Sequence, residues 1–385
     1  MYVTRPLSLY KRSPELLELP PPSGPNSGYL VVEDEESVPT CCFGTCTNPT
    51  VEGLPMPQNK RIDVQHGSGD NHTSYGVFFV PVVGTALSEN RYYAVKADGR
   101  RGKGEVYTSR KEETMVNCFC CFCGSDEKPQ PLDPTNTYQQ VVLSYTPGCG
   151  NHYFSAKSVT EDGVLPSFLR TNPWAVSTHT PNFTLHEANG INASLRDRLP
   201  SISADAPVVV GKWYCPFLFI KEGKPKEQMK KSMFYEVTLE QRWKMIFSHE
   251  YEFKGTNSVS FDVVVPTHVP KIAGIVAVQD TNATDDGIVW LKCTATTIDE
   301  AEEARVGLSG LVMERMIWEQ ERLGWVNNKE KQIRVARAEE YGGVVPWMKF
   351  GCYVLVESFV FRRTDGSIAL AYDFMHSHRI RVEWA

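Results

Sequence analysis

In 385 residues the chain has no apolar run approaching the roughly 20 that a membrane-crossing helix needs. An ordinary helical anchor is therefore excluded. Its opening, MYVTRPLSLYKRSPELLEL, lacks the apolar centre of a secretory leader, and Tyr2 in place of glycine excludes myristoylation. There is no basic surplus: 40 Lys and Arg face 46 Asp and Glu, a net charge of −6, so nucleic acid is not an expected partner. A P-loop, a dinucleotide fingerprint, H-E-x-x-H and G-x-S-x-G are all missing, as are repeats and heptads. These absences remove the enzyme classes that declare themselves in one stretch of chain. A cytoplasmic protein is expected.

What is present is material for a core. The hydrophobic fraction is 41% and the aromatic fraction 11%, and 385 residues exceed what one core usually serves. The polar, helix-poor Ser201–Pro207 is the expected seam. It divides an N-terminal β-rich domain, 1–204, with a Pro-rich arm and Cys-rich loops, from an α+β domain, 205–385. Period-2 apolar stretches dominate both halves, at Gly76–Val83, Arg91–Ala97, Tyr138–Tyr145 and Ser258–Val265. The expected fold class is α+β, predominantly antiparallel sheet, with a few short amphipathic helices.

Three local readings carry most weight. Gly351–Arg363 and Ser367–Trp384 read as a long terminal hairpin across Thr364-Asp365-Gly366, with Glu357 on the face of Tyr353, Leu355 and Phe359, where burial would oblige it to pair. Ser309 reads as the cap of an amphipathic helix running to Leu323, with Val312, Met313, Met316 and Ile317 along one side. Within VVVGKWYCPFLFIKEGKPKEQMKKSMFYEVTLEQRW, Lys221–Lys231 reads as a solvated basic loop, and Thr238 as the cap of a helix opening Leu239-Glu240-Gln241.

Several blocks carry a resemblance. YVTRPLS at Tyr2–Ser8, GPNSGYLV at Gly24–Val31, RYYAVKADG at Arg91–Gly99, GKWYCPF at Gly211–Phe217, MKKSMFYEVTLEQRW at Met229–Trp243 and WEQER at Trp318–Arg322 are similar to a plant-specific family catalogued only as a domain of unknown function. The resemblance implies a land-plant, soluble, intracellular protein responsive to stress or defence. It implies no activity, cofactor or catalytic residue.

Four constellations could carry chemistry. The cysteines number eleven, an odd count that suits reduced thiols. Among them Cys42, Cys46, Cys120 and Cys123 have ligand spacing for zinc; no other cofactor is expected. The same loops, with Phe119 and Phe122, would suit S-acylation, or simple packing. His376 and His378, two apart in a strand, point to one face and with Asp373 form a catalytic or metal-holding candidate; alternation of polar residues is the plainer reading. Trp213, Tyr214, Phe217 and Trp347 could line a ligand pocket. Ser258–Thr297 alternates in the manner of membrane-inserting hairpins, and of any exposed hairpin.

The function that follows is binding or interaction with a protein or small-molecule partner in stress or defence. The alternative is a cyclase- or lyase-like enzyme on a small plant metabolite, and a third is a β-hairpin membrane-inserting protein. The residues leave open whether the chain is an enzyme.

Overall fold

The computed structural model describes residues 1–385 except 39, 42–45, 48, 68–72, 115, 119–120, 124, 149–151, 172, 252–256, 281–286, 297–300 and 327–330. It is a β-rich α+β protein, built from antiparallel sheets with short helices. The chain divides into two compact units, one of Met1–Ala188 with Tyr214–Phe234, the other of Asn189–Trp213 with Tyr235–Ala385.

The first unit opens with β1 (Tyr2–Pro6), paired in parallel with β2 (Gly28–Val32). Its main sheet comprises β3 (Arg61–His66), β4 (Thr73–Pro81), β5 (Arg91–Lys96), β6 (Gln140–Pro147), β7 (His152–Ser158) and β8 (Ala175–His179), in the order β7-β6-β5-β4-β3-β8. The two end strands approach at one point. Phe154 and Trp174 exchange backbone hydrogen bonds of 2.9 and 3.2 Å, drawing the sheet toward a barrel. The inward residues are the apolar ones that period 2 singles out, among them Ile62, Val64, Val77, Phe79, Tyr92, Ala94 and Trp174. The stretch expected to be a basic loop is a helix over Pro225–Lys231. Pro225 stands at its start, Glu227 in the first turn and Lys230-Lys231 in the last, all arrangements the helix termini favour, while Gln228 and Met229 turn inward.

The second unit is organised on long strands. β9 (Val208–Pro216) gives it Val208–Trp213. Beside that lie β10 (Phe234–Glu250), β11 (Ser258–Pro266), β12 (His268–Ile272), β13 (Ile288–Thr296), β14 (Ala301–Ser309), β15 (Gln332–Glu340), β16 (Lys349–Arg362) and β17 (Ile368–Trp384). Its large sheet runs β9-β10-β16-β17-β12. β16 and β17 are the expected terminal hairpin, with Asp365 accepting from the Ser367 N–H at 2.9 Å and Gly366 at φ +81.

Two expectations fail here. The helix expected from Leu239 is strand. Val237, Leu239 and Gln241 are fully buried at alternate positions, and β10 pairs with β16 from Glu236↔Arg362 to Glu250↔Lys349. That long ladder overrides a local capping pattern. The alternating Ser258–Thr297 is not one hairpin either: β11 pairs with β15, and β13 turns back on β14. The helix after Ser309 is present as α2 (Gly310–Glu321), shorter than expected and without a side-chain cap from Ser309; a short helix, α1 (Ala193–Arg198), lies earlier in the same unit.

Candidate functional site

His376 and His378 lie on β17 but not in a regular ladder. His376 is opposite Leu355 and Ile380 opposite Val354, so Ser377, His378 and Arg379 form a bulge. His376 is fully buried and His378 exposed, with ring centroids 5.5 Å apart. His378 donates through Nε2 to the Leu323 carbonyl at 3.1 Å, at the C-terminal end of α2.

His376 sits in a charged cluster that no outside group reaches. Nε2 donates to Gln320 Oε1 at 2.8 Å and stands 4.0 Å from Glu357. Glu357, fully buried, accepts from Arg196 Nε (2.9 Å) and Nη2 (2.5 Å), Gln241 Nε2 (2.8 Å) and Gln320 Nε2 (2.9 Å). Arg196 comes from α1, whose N-terminus is fixed by Asn192 accepting the Leu195 N–H at 3.0 Å. Its Nη2 also donates to the Glu319 carbonyl at 3.0 Å. Glu319 in turn takes Arg315 at 2.8 Å. Glu357 therefore finds the partner that burial demands, but it is Arg196. The neighbouring Arg362 serves Glu240 (2.8 Å) instead.

The electrostatics follow from this enclosure. Burial pushes the His376 pKa down to about 4, against the pull of Glu357, so the ring is neutral near pH 7. Burial alone would raise Glu357, but the hydrogen bonds and charge of Arg196, helped by His376 and Gln241, hold its carboxyl below the usual range. Two buried arginines, Arg196 and Arg315, oppose two buried carboxylates, Glu357 and Glu319, so the charges are balanced inside the core. Nδ1 of His376 and Oε1 of Gln241 have no hydrogen-bond partner among the described residues.

Asp373 is not brought to this cluster. Three residues before His376, it points to the opposite face of β17, where it accepts from Arg242 (2.7 Å), Lys271 (2.7 Å) and Ser358 (2.6 Å). Burial opposes its ionisation, and Lys271, Ser358 and Arg242 outweigh that, holding its pKa down.

The four aromatics are buried in separate places. Trp213 packs on Phe359 at 6.1 Å in the second unit, over Gly211, where a Cβ would come within 2.5 Å of its ring. Trp347 packs against Tyr251 and Trp384, each at 4.9 Å. Tyr214 and Phe217 belong to the first unit, where the Tyr214 hydroxyl accepts the His186 N–H at 3.0 Å. Of the zinc set, Cys42 and Cys120 lie outside the described residues, and only the backbones of Cys46 and Cys123 are described, in short strands. The described residues contain no group of three or more His, Cys, Asp or Glu placed to hold a metal.

An open site exists elsewhere. In the first unit a cleft of about 450 Å³ is walled by Tyr75, Tyr107 and Phe168, with Asp98, Asp126, Glu127, Lys96 and Lys128 also on its lining. Phe168 stands 5.2 Å from Tyr75 and 4.6 Å from Tyr107, centroid to centroid, and Lys96 Nζ lies 5.9 Å over the Tyr107 ring. Gly76 keeps the floor low. Its N–H donates to Asp98 at 3.1 Å, and a Cβ there would collide with that carboxylate and come within 2.8 Å of Arg61 Nε. Burial, then Asp98, Tyr75 and Asp126, push the Tyr107 hydroxyl pKa up, so it stays a neutral donor. None of these residues was singled out as a site by the sequence. The available signal was Gly76, a glycine heading the apolar stretch GVFFVPVV, where a missing side chain marks close approach.

Residues 23–122 match the family model described as "Protein of unknown function (DUF1262)". No curated protein matches the chain. Among solved structures the chain is similar to one titled "Crystal structure of Cry35Ab1", with 12% identity and a TM-score of 0.43 over 86% of this chain and 90% of that one. At that level the likeness decides neither fold nor function.

Proposed function

We propose that the protein is a binding protein with no chemistry of its own, holding a small ring-bearing ligand in the cleft of the first unit. The cleft carries the reading. Its volume lies in the range of ligand sites, roughly 300–1,000 Å³, and it joins aromatic faces to carboxylates that can accept from a ligand's hydroxyl or amine. The histidine cluster supports the non-catalytic half, since His376 is neutral, buried and already bonded. A place in plant stress or defence responses rests on the sequence blocks. The buried free thiols Cys215, Cys293 and Cys352 support a reducing, cytoplasmic compartment.

Native mass spectrometry of the protein purified from plant tissue tests this. The expected result is the chain plus one small molecule, lost in Tyr75→Ala. A bare wild-type mass, or an adduct retained in Tyr75→Ala, overturns the proposal. An adduct whose mass falls on standing would favour the lyase reading instead.

A further inference from the structure

The cleft of the first unit is lined by charges of both signs that do not neutralise each other. Asp126, Glu127 and Lys128 follow one another along a stretch without helix or strand, and Lys96 ends β5 on the same lining. That stretch is held at both ends. Asp126 accepts from the Ser167 N–H at 3.0 Å and from the Ser167 hydroxyl at 2.7 Å, while Gln130 exchanges backbone hydrogen bonds of 2.7 and 3.0 Å with Val106.

The remaining carboxylate on the lining, Asp98, has a cation of its own: Arg61 Nη2 lies 3.1 Å away, and the Gly76 N–H donates to it as well. The others have none. Asp126 takes only the neutral donors of Ser167, and Glu127 only the Gln130 amide at 3.3 Å. Lys96 meets the face of Tyr107 rather than a carboxylate. Among the described residues, none of Asp126, Glu127, Lys96 and Lys128 forms an ion pair. A ligand of one sign would satisfy half of these groups and approach the other half against like charge, which disfavours it. A zwitterion meets both halves. Glu127 and Lys128 are neighbours in the chain, so the two charges of the ligand must also lie close together, as they do on the α-carbon of an amino acid.

We propose that the ligand class of this cleft is a free aromatic α-amino acid. Its ring lies against Tyr75, Tyr107 and Phe168, its ammonium donates to Asp126 and Glu127, and its carboxylate accepts from Lys96 and Lys128. The proposal rests on the cleft reading above and adds to it the charge that the ligand must carry.

Isothermal titration calorimetry of the full chain at pH 7 with L-phenylalanine, phenethylamine and 3-phenylpropanoate is the test, because the three share a ring and differ in charge. L-phenylalanine is expected to bind about tenfold more tightly than either analogue, the effect of one charge-assisted hydrogen bond. Asp126→Asn with Glu127→Gln should reduce it to the level of 3-phenylpropanoate and leave 3-phenylpropanoate itself no weaker. Lys96→Met with Lys128→Met should reduce it to the level of phenethylamine and leave phenethylamine no weaker. If circular dichroism shows a double variant unfolded, Glu127→Gln or Lys128→Met alone replaces it, with a several-fold loss of phenylalanine binding expected. An analogue that binds as tightly as phenylalanine, with all binding lost in Tyr75→Ala, overturns the zwitterion and leaves the ring-binding cleft standing. So does a preference for phenylalanine that survives the charge variants. No binding of any of the three, or binding that Tyr75→Ala does not weaken, overturns both.

Discussion

The two polar sites are built from the same residue types and put them to opposite use. Around Glu357 every strong charge faces another inside the core, and the carboxylate accepts four hydrogen bonds from its own chain. In the cleft, Asp126 and Glu127 also accept from their own chain, from Ser167 and Gln130, but they share an open lining with Tyr75, which is 39% exposed. A buried ion pair returns little net stability but is costly to break, whereas a half-exposed aromatic costs the fold little and remains available to a ligand. Histidines and carboxylates in one place are therefore not enough to mark a site; what matters is whether a ligand can reach them.

The contrast can be broken most forcefully at Arg196. Arg196→Met leaves Glu357 and Glu319 buried and short of cations, and should cost about 3–5 kcal/mol in urea unfolding. A loss below about 1 kcal/mol would mean that the cluster is not the closed lock described. Acid gives the next largest effect. With its folded pKa near 4 and an unfolded value near 6.5, His376 stabilises the fold above pH 6.5, and that contribution fades as pH falls toward 4. The depressed Glu357 and Asp373 act in the same direction lower down. The His376 part amounts to at most ~3 kcal/mol. Urea midpoints measured from pH 7 to pH 4 should fall, and His376→Gln should flatten the upper part of that slope. An unchanged slope in the variant would remove His376 from the account. The smallest effect belongs to the cleft. Tyr75→Ala should lower stability by about 1 kcal/mol or less, and a larger loss in the same assay would make Tyr75 a structural residue.

Much of this was legible in the residues, and what was not has identifiable causes. The terminal hairpin could be read because period 2 and an Asp-Gly turn act locally, and so could the need of Glu357 for a partner. Arg196 could not be named, since it lies 161 residues away on a short helix. Thr238 misled because a capping pattern is a weak local preference set against a long ladder. The bulge at Ser377–Arg379 could not be read because a bulge has no signature in alternation. The cleft was hidden because Tyr75, Tyr107 and Phe168 come from three separated segments.

That bulge has a further consequence. Opposite faces of β16 take Leu355 and Val354, and β17 answers them with His376 and Ile380. Excising Ser377–Arg379 would set Ile380 directly after His376, still opposite Val354, with Val382 and Trp384 keeping their partners and faces. The three residues are thus an insertion into a ladder that is complete without them. What they add is the reach of His378 to the end of α2, where its ring nitrogen would stand 3.1 Å from a Cβ on Gly324. In terms of descent, loss of all three together is the shortening that leaves this ladder regular, and it would free the helix end rather than the sheet.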